Sequence, residues 1–109
     1  MKIFNLGINA SLLLLTSVAL ADDVKVIEAS YGLNCSQRLQ GNMTGTVARA
    51  CRHKALCHFT IDHEIHGDPA RNCAKTFIVD YRCRHNSVTK SAMISAEATK
   101  NYVTLDCSQ

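Results

Sequence analysis

Three sets of residues in this sequence have the types that do chemistry. Residues 67–83, GDPARNCAKTFIVDYRC, place a Gly67-Asp68-Pro69 turn and Lys75 ahead of a candidate strand, with Cys73 and Cys83 in the same stretch. An ionised carboxylate only accepts hydrogen bonds and an ammonium only donates them, so an acid and a cation fixed on one short loop are the makings of a polar binding site. Pro69 presets the turn and holds the carboxylate in place. The second set is the histidines His53, His58, His63, His66 and His85. His63-Glu64-Ile65-His66 is one residue short of the His-Glu-x-x-His motif, so the two imidazoles lack the spacing that puts both on one helix face to hold zinc. We read the histidines as solvated surface groups and expect no catalytic residue, no metal and no cofactor.

The third set is Cys35, Cys51, Cys57, Cys73, Cys83 and Cys107. Structural zinc favours closely paired ligands such as Cys-x-x-Cys, and no such pair is present. An even number of cysteines in a short exported chain reads instead as a disulfide framework, although spacing alone leaves the connectivity open. A thiol tied in a disulfide is no nucleophile, so cysteine chemistry is set aside as well. A domain of under roughly 90 residues buries a modest core, and each cross-link would contribute about 2–4 kcal/mol.

The elements that must carry these residues begin after a leader. Lys2, the apolar run from Leu6 to Leu20 and the small-x-small site Ala19-Leu20-Ala21 make residues 1–21 a secretory signal, leaving one domain over residues 22–109. Export to an extracellular or periplasmic space follows, and no later segment has the length of apolar sequence needed for a membrane span. Loss of Lys2 lowers the formal charge from +3 to +2. Lys and Arg are scattered from Lys25 to Lys100 with no dense basic window, so a nucleic acid partner is not expected.

Val24, Val26 and Glu28 alternate with Lys25, Ile27 and Ala29, a period of two that predicts a strand entering Ser30-Tyr31-Gly32. The polar run 37–46 reads as a loop, and Thr46 is a candidate cap for a short helix through Val47, Ala48 and Ala50. Leu56–Ile61, Thr76–Cys83, Ala92–Ser95 and Tyr102–Cys107 read as strands, with a polar turn over residues 97–101. The fold class expected is α+β, mainly β: a small disulfide-bonded antiparallel β-sandwich with one short helix.

Within this pattern Ala29-Ser-Tyr-Gly, then Val47-Ala-Arg-Ala-Cys-Arg-His-Lys-Ala-Leu-Cys, then Gly67-Asp-Pro with Lys75 leading into Phe77-Ile-Val-Asp-Tyr-Arg-Cys83, resemble the rhamnose- and galactose-binding lectin domain of the sea-urchin-egg-lectin type. The resemblance runs over residues 24–83 and implies a metal-free carbohydrate-binding module. Asp68 would accept from adjacent sugar hydroxyls, Lys75 would close the site, and Tyr31 would supply an aromatic wall or a hydroxyl. Three positions depart from the family pattern: Ser30 and Leu33 flank Tyr-Gly, and Asn72 stands where a glycine is common. The family's Asp-Pro-Cys is Asp68-Pro69-Ala70, with Cys73 three positions later. Its cysteine-bearing first strand has no counterpart before Val24, whereas residues 93–107 extend beyond its usual end.

That surplus segment is similar to the absent first strand, which suggests a circular permutation with the tail from about Ala92 to Cys107 in the first-strand slot. Under it, Glu97 takes the place of the family's sugar-binding glutamate. The implied disulfides are Cys83–Cys107 and Cys51–Cys57, with Cys35 and Cys73 left to pair. The other reading of the tail is an added edge strand. The other reading of the function is a secreted module that binds a protein partner through the same scaffold, with a degenerate sugar site.

Overall fold

The first strand, β1 (Val24–Tyr31), does not keep a single alternation from end to end. Val24 faces the core, but after a bulge between Val26 and Glu28 the buried positions become Ala29 and Tyr31. One extra residue in a strand moves every following side chain to the opposite face. Glu28 therefore points away from the core, contrary to the regular alternation expected, and Tyr31 turns inward. The computed structural model describes residues 22–108, and the leader expected over residues 1–21 lies outside the described residues.

After β1 come a 3-10 turn (Gln37–Leu39), β2 (Gly41–Asn42), α1 (Thr44–Ala50), β3 (Leu56–Thr60), α2 (His63–His66), β4 (Phe77–Cys83), β5 (Lys90–Ile94) and β6 (Tyr102–Asp106). A four-stranded antiparallel sheet in the order β2-β1-β4-β5 accompanies a two-stranded antiparallel sheet, β3-β6. The result is a small disulfide-bonded, mainly β α+β domain. It has two helices among the described residues where one was expected. The second, α2, is a single turn whose N-cap Asp62 accepts from the Glu64 amide, so a capping carboxylate starts it despite the lack of an apolar period.

α1 begins earlier than Thr46. Its N-cap is Met43, without a side-chain cap, and Thr44 in the first turn instead pins the helix to β1 through the Ala29 amide and carbonyl. Val47, buried on α1, joins Tyr31, Phe59, Ile61, Phe77, Val79, Val103 and Leu105 in one core. β4 alternates strictly, with Phe77, Val79 and Tyr81 inward. The Phe77 ring stacks on Phe59 at 5.6 Å between centroids and meets Tyr31 edge-on at 6.4 Å. Burying side chains of this size contributes about 1.5–3 kcal/mol each.

Three disulfides tie the layers: Cys51–Cys57 joins the end of α1 to β3, Cys83–Cys107 joins the ends of β4 and β6, and Cys35–Cys73 joins the loop after β1 to the loop before β4. These are the pairs that the resemblance implies. Such a framework suits an extracellular or otherwise oxidising environment. No helix among the described residues is long and apolar enough to cross a membrane.

Candidate functional site

Three stretches of chain converge at the end of the domain where β1 finishes and β4 begins. Tyr31 is the last residue of β1, Asp68 and Lys75 lie on the connection between α2 and β4, and Glu97 lies on the turn between β5 and β6. Gly32 permits the convergence. Its backbone has φ +97°, a region glycine enters without cost, and a Cβ there would lie 3.4 Å from the Lys75 stem. Asn34 fastens the same two loops, donating to the Ala74 carbonyl and accepting from the Thr76 amide.

Lys75 is the hub. It is a charged residue only 3% exposed. Its Nζ lies 2.7 Å from Asp68 Oδ1 and 3.7 Å from Glu97 Oε1, and donates to the carbonyls of Ala70 (3.2 Å) and Cys73 (3.0 Å). It also sits 5.3 Å from the centre of the Tyr31 ring. An ammonium has three protons, and here Asp68, Ala70 and Cys73 take them. Lys75 is therefore neither a solvated cation nor a spare donor: it neutralises and positions the two carboxylates.

Glu97 is held from several sides. Its Oε2 accepts from the Tyr31 hydroxyl at 2.9 Å and the Thr99 amide at 3.0 Å, and its Oε1 accepts from the Lys75 amide at 3.0 Å. Burial pushes the Glu97 carboxyl up, but those hydrogen bonds and the Lys75 charge outweigh it and hold it below its ordinary value. The hydrogen bond from Lys75 is the largest influence on Asp68 and outweighs the burial that pushes its carboxyl up; with the Lys75 charge it holds Asp68 below its ordinary value. Burial, then the bond to Glu97, pushes the Tyr31 hydroxyl up to about 12. Both carboxyls are ionised at neutral pH, and Tyr31 is a neutral donor.

The four residues named from the sequence thus come together, in different roles. Tyr31, 1% exposed, packs in the core and orients Glu97 with its hydroxyl instead of offering an open aromatic wall. Asp68 forms part of the wall of two depressions. One, of about 240 Å³, is lined by His63, Asn72, Lys75, Glu97 and Thr99, and the other, of about 220 Å³, by Tyr31, Asn42, His66 and Pro69.

The sequence alone sets His63 aside with the solvated histidines and marks Asn72 only as a departure from the family pattern, while Thr99 is not singled out. The Thr99 hydroxyl accepts from the His63 amide and lies 3.0 Å from His63 Nδ1, which brings α2 against the turn carrying Glu97. No local motif announces a His–Thr pair 36 positions apart. Asn72 had a faint signal, since it stands where the resembled family commonly has glycine, and it adopts φ 65°, a region in which Asn is tolerated. Of the other histidines, His66 stacks on Phe59, His58 contacts Thr104 and Tyr102, and His85 lies against Asp22. Among the described residues no group of three or more His, Cys, Asp or Glu side chains is placed to hold a metal ion.

Searches of family models, curated proteins and solved structures find no match to this chain.

Proposed function

We propose that this domain is a metal-free carbohydrate-binding module of the rhamnose/galactose lectin type. The observation that carries the reading is the buried Lys75 ammonium holding two ionised carboxylates, Asp68 and Glu97, on one shallow cleft. Neighbouring sugar hydroxyls donate well to a fixed carboxylate. Glu97 already accepts from Tyr31, Lys75 and Thr99, so Asp68, with fewer partners, is the principal acceptor and Glu97 the secondary one. Asn72, His63 and Thr99 add amide, imidazole and hydroxyl groups around the same cleft.

The circular permutation belongs to this proposal. It draws support from the Asp22 amide, which donates to the Cys107 carbonyl at 3.3 Å, so the two ends of the domain lie side by side as a permutation requires. It also draws support from Glu97, which the tail carries into the site beside Lys75. Secretion through the leader over residues 1–21 is proposed with it. A cleft of this size binds one sugar weakly, so useful avidity requires several copies on one surface.

The test is titration of the disulfide-bonded protein against a glycan panel that includes L-rhamnose and galactosides, beside Asp68→Ala. Saturable binding that free rhamnose or galactose competes away, and that the variant lacks while still folded, supports the lectin reading. Silence across the panel from folded protein overturns it. A protein-binding surface is the second reading, favoured by Leu33 and Leu39, which are 45% and 46% exposed on the loop beside β2. Loss of a protein partner on Leu33→Ser with Asp68→Ala indifferent would select it.

A further inference from the structure

The opposite end of the β1–β4 pair carries a second arrangement that the candidate sugar site does not use. Lys25, Arg52, His53 and Arg84 line a depression of about 190 Å³ with Asp23 as its one acid. They come from three separate stretches of chain: the start of β1, the segment just after α1, and the residues just after β4. Backbone hydrogen bonds fix their meeting, since the Val24 amide donates to Lys54 and the Arg84 amide donates to Asp23. Arg82 extends the cluster as the cross-strand partner of Lys25, and opposed residues on antiparallel strands project from the same face.

The charges there are uncompensated. Lys25, Arg52 and Arg84 are exposed. Among the described residues the ion pairs involve Lys75, His85 and Lys100 as the cationic partners, and none of the cations lining this depression. Asp22, the other nearby acid, is turned to His85, whose Nδ1 lies 2.9 Å from it. The Nε of Arg82 is buried without a hydrogen-bond partner. His53, one of the lining residues, holds φ 62°, a conformation uncommon for a residue with a side chain.

We propose that this depression is a binding site for the sulfate or phosphate esters of an anionic polysaccharide. Guanidinium groups meet tetrahedral oxyanions with paired donors, and two of them beside an ammonium in a depression of this size match one ester group. Flanking cations then follow the polymer. The three disulfides put the protein in an oxidising environment, where the abundant polyanions are substituted glycans, and this favours a polysaccharide over a nucleic acid. The site is independent of the sugar cleft: Lys25 and Tyr31 are six residues apart on β1, roughly 20 Å at the rise of a strand.

The test is calorimetric titration of the disulfide-bonded protein with dextran sulfate, phosphorylated dextran, neutral dextran and single-stranded DNA at two salt concentrations. Binding of either ester form is expected, absent for neutral dextran and weakening as salt rises. The Arg52→Glu/Arg84→Glu variant should lose about tenfold or more in affinity, and Arg38→Glu/Arg71→Glu, with the same change in net charge elsewhere, less than about twofold. Arg52→Gln/Arg84→Gln replaces the first variant if that variant does not fold. Three results overturn the proposal: no binding of either ester, equal losses in the two double variants, or tighter binding of DNA than of both dextrans.

Discussion

The two ends of the β1–β4 pair hold opposite solutions to placing charge. At the Tyr31 end a single ammonium is buried and answered on every side by Asp68, Glu97 and two carbonyls. At the Lys25 end several cations stand exposed and unanswered around a depression. Taking a charge out of water is costly unless partners replace the solvent, so the first end must be specified precisely. An exposed cation keeps its water and tolerates loose placement. The first end is accordingly part of the stability of the fold, and the second is not.

Removing the hub should give the largest effect. Lys75→Met keeps the stem but leaves the Ala70 and Cys73 carbonyls and Asp68 without their shared donor and Glu97 without the neighbouring charge, and we expect a loss of about 3 kcal/mol in chemical denaturation. A loss under about 1 kcal/mol would erase the contrast between the two ends. Tyr31→Phe deletes only the hydroxyl that donates to Glu97 and should cost about 1–2 kcal/mol, with the core packing kept.

The pH dependence sharpens the same point. Asp68 and Glu97 have folded-state values below their ordinary 3.8 and 4.5, so the folded state binds fewer protons than the unfolded one as pH falls through that range. Their contribution is fully present above about pH 5 and is lost as pH drops below the ordinary values toward the depressed ones. Denaturation midpoints for the wild type should therefore decline more steeply below pH 4.5 than those of Lys75→Met. The smallest effect belongs to the far end: Lys25→Ala should change stability by less than about 0.5 kcal/mol.

How far the sequence revealed these regions depended on whether the signal was local. Strand β4 was legible because Phe77, Val79 and Tyr81 alternate without interruption. β1 was legible as a strand but not in its facing, because a bulge is a property of pairing with β4 and leaves no mark in the residues 24–29 themselves. α2 escaped because four residues with none buried carry no period, and only the Asp62 cap marks it. Asp68 and Lys75 were visible as an acid and a cation on one loop, yet the role of Lys75 depends on the Ala70 and Cys73 carbonyls, which no sequence pattern displays. The cationic depression was hidden for the same reason. A window along the chain sees Lys25, Arg52 and Arg84 as scattered charges, and only the pairing of β1 with β4 and the Val24–Lys54 backbone hydrogen bond bring them together.

The sugar cleft is best probed by an amide chemical-shift titration of the folded protein with L-rhamnose and with galactose. The proposed sugar site requires saturable shifts confined to the cleft, at residues such as Asp68, Asn72, Lys75, Glu97 and Thr99, with the Lys25 end unmoved. Shifts that avoid the cleft, or none at saturating sugar, would contradict it.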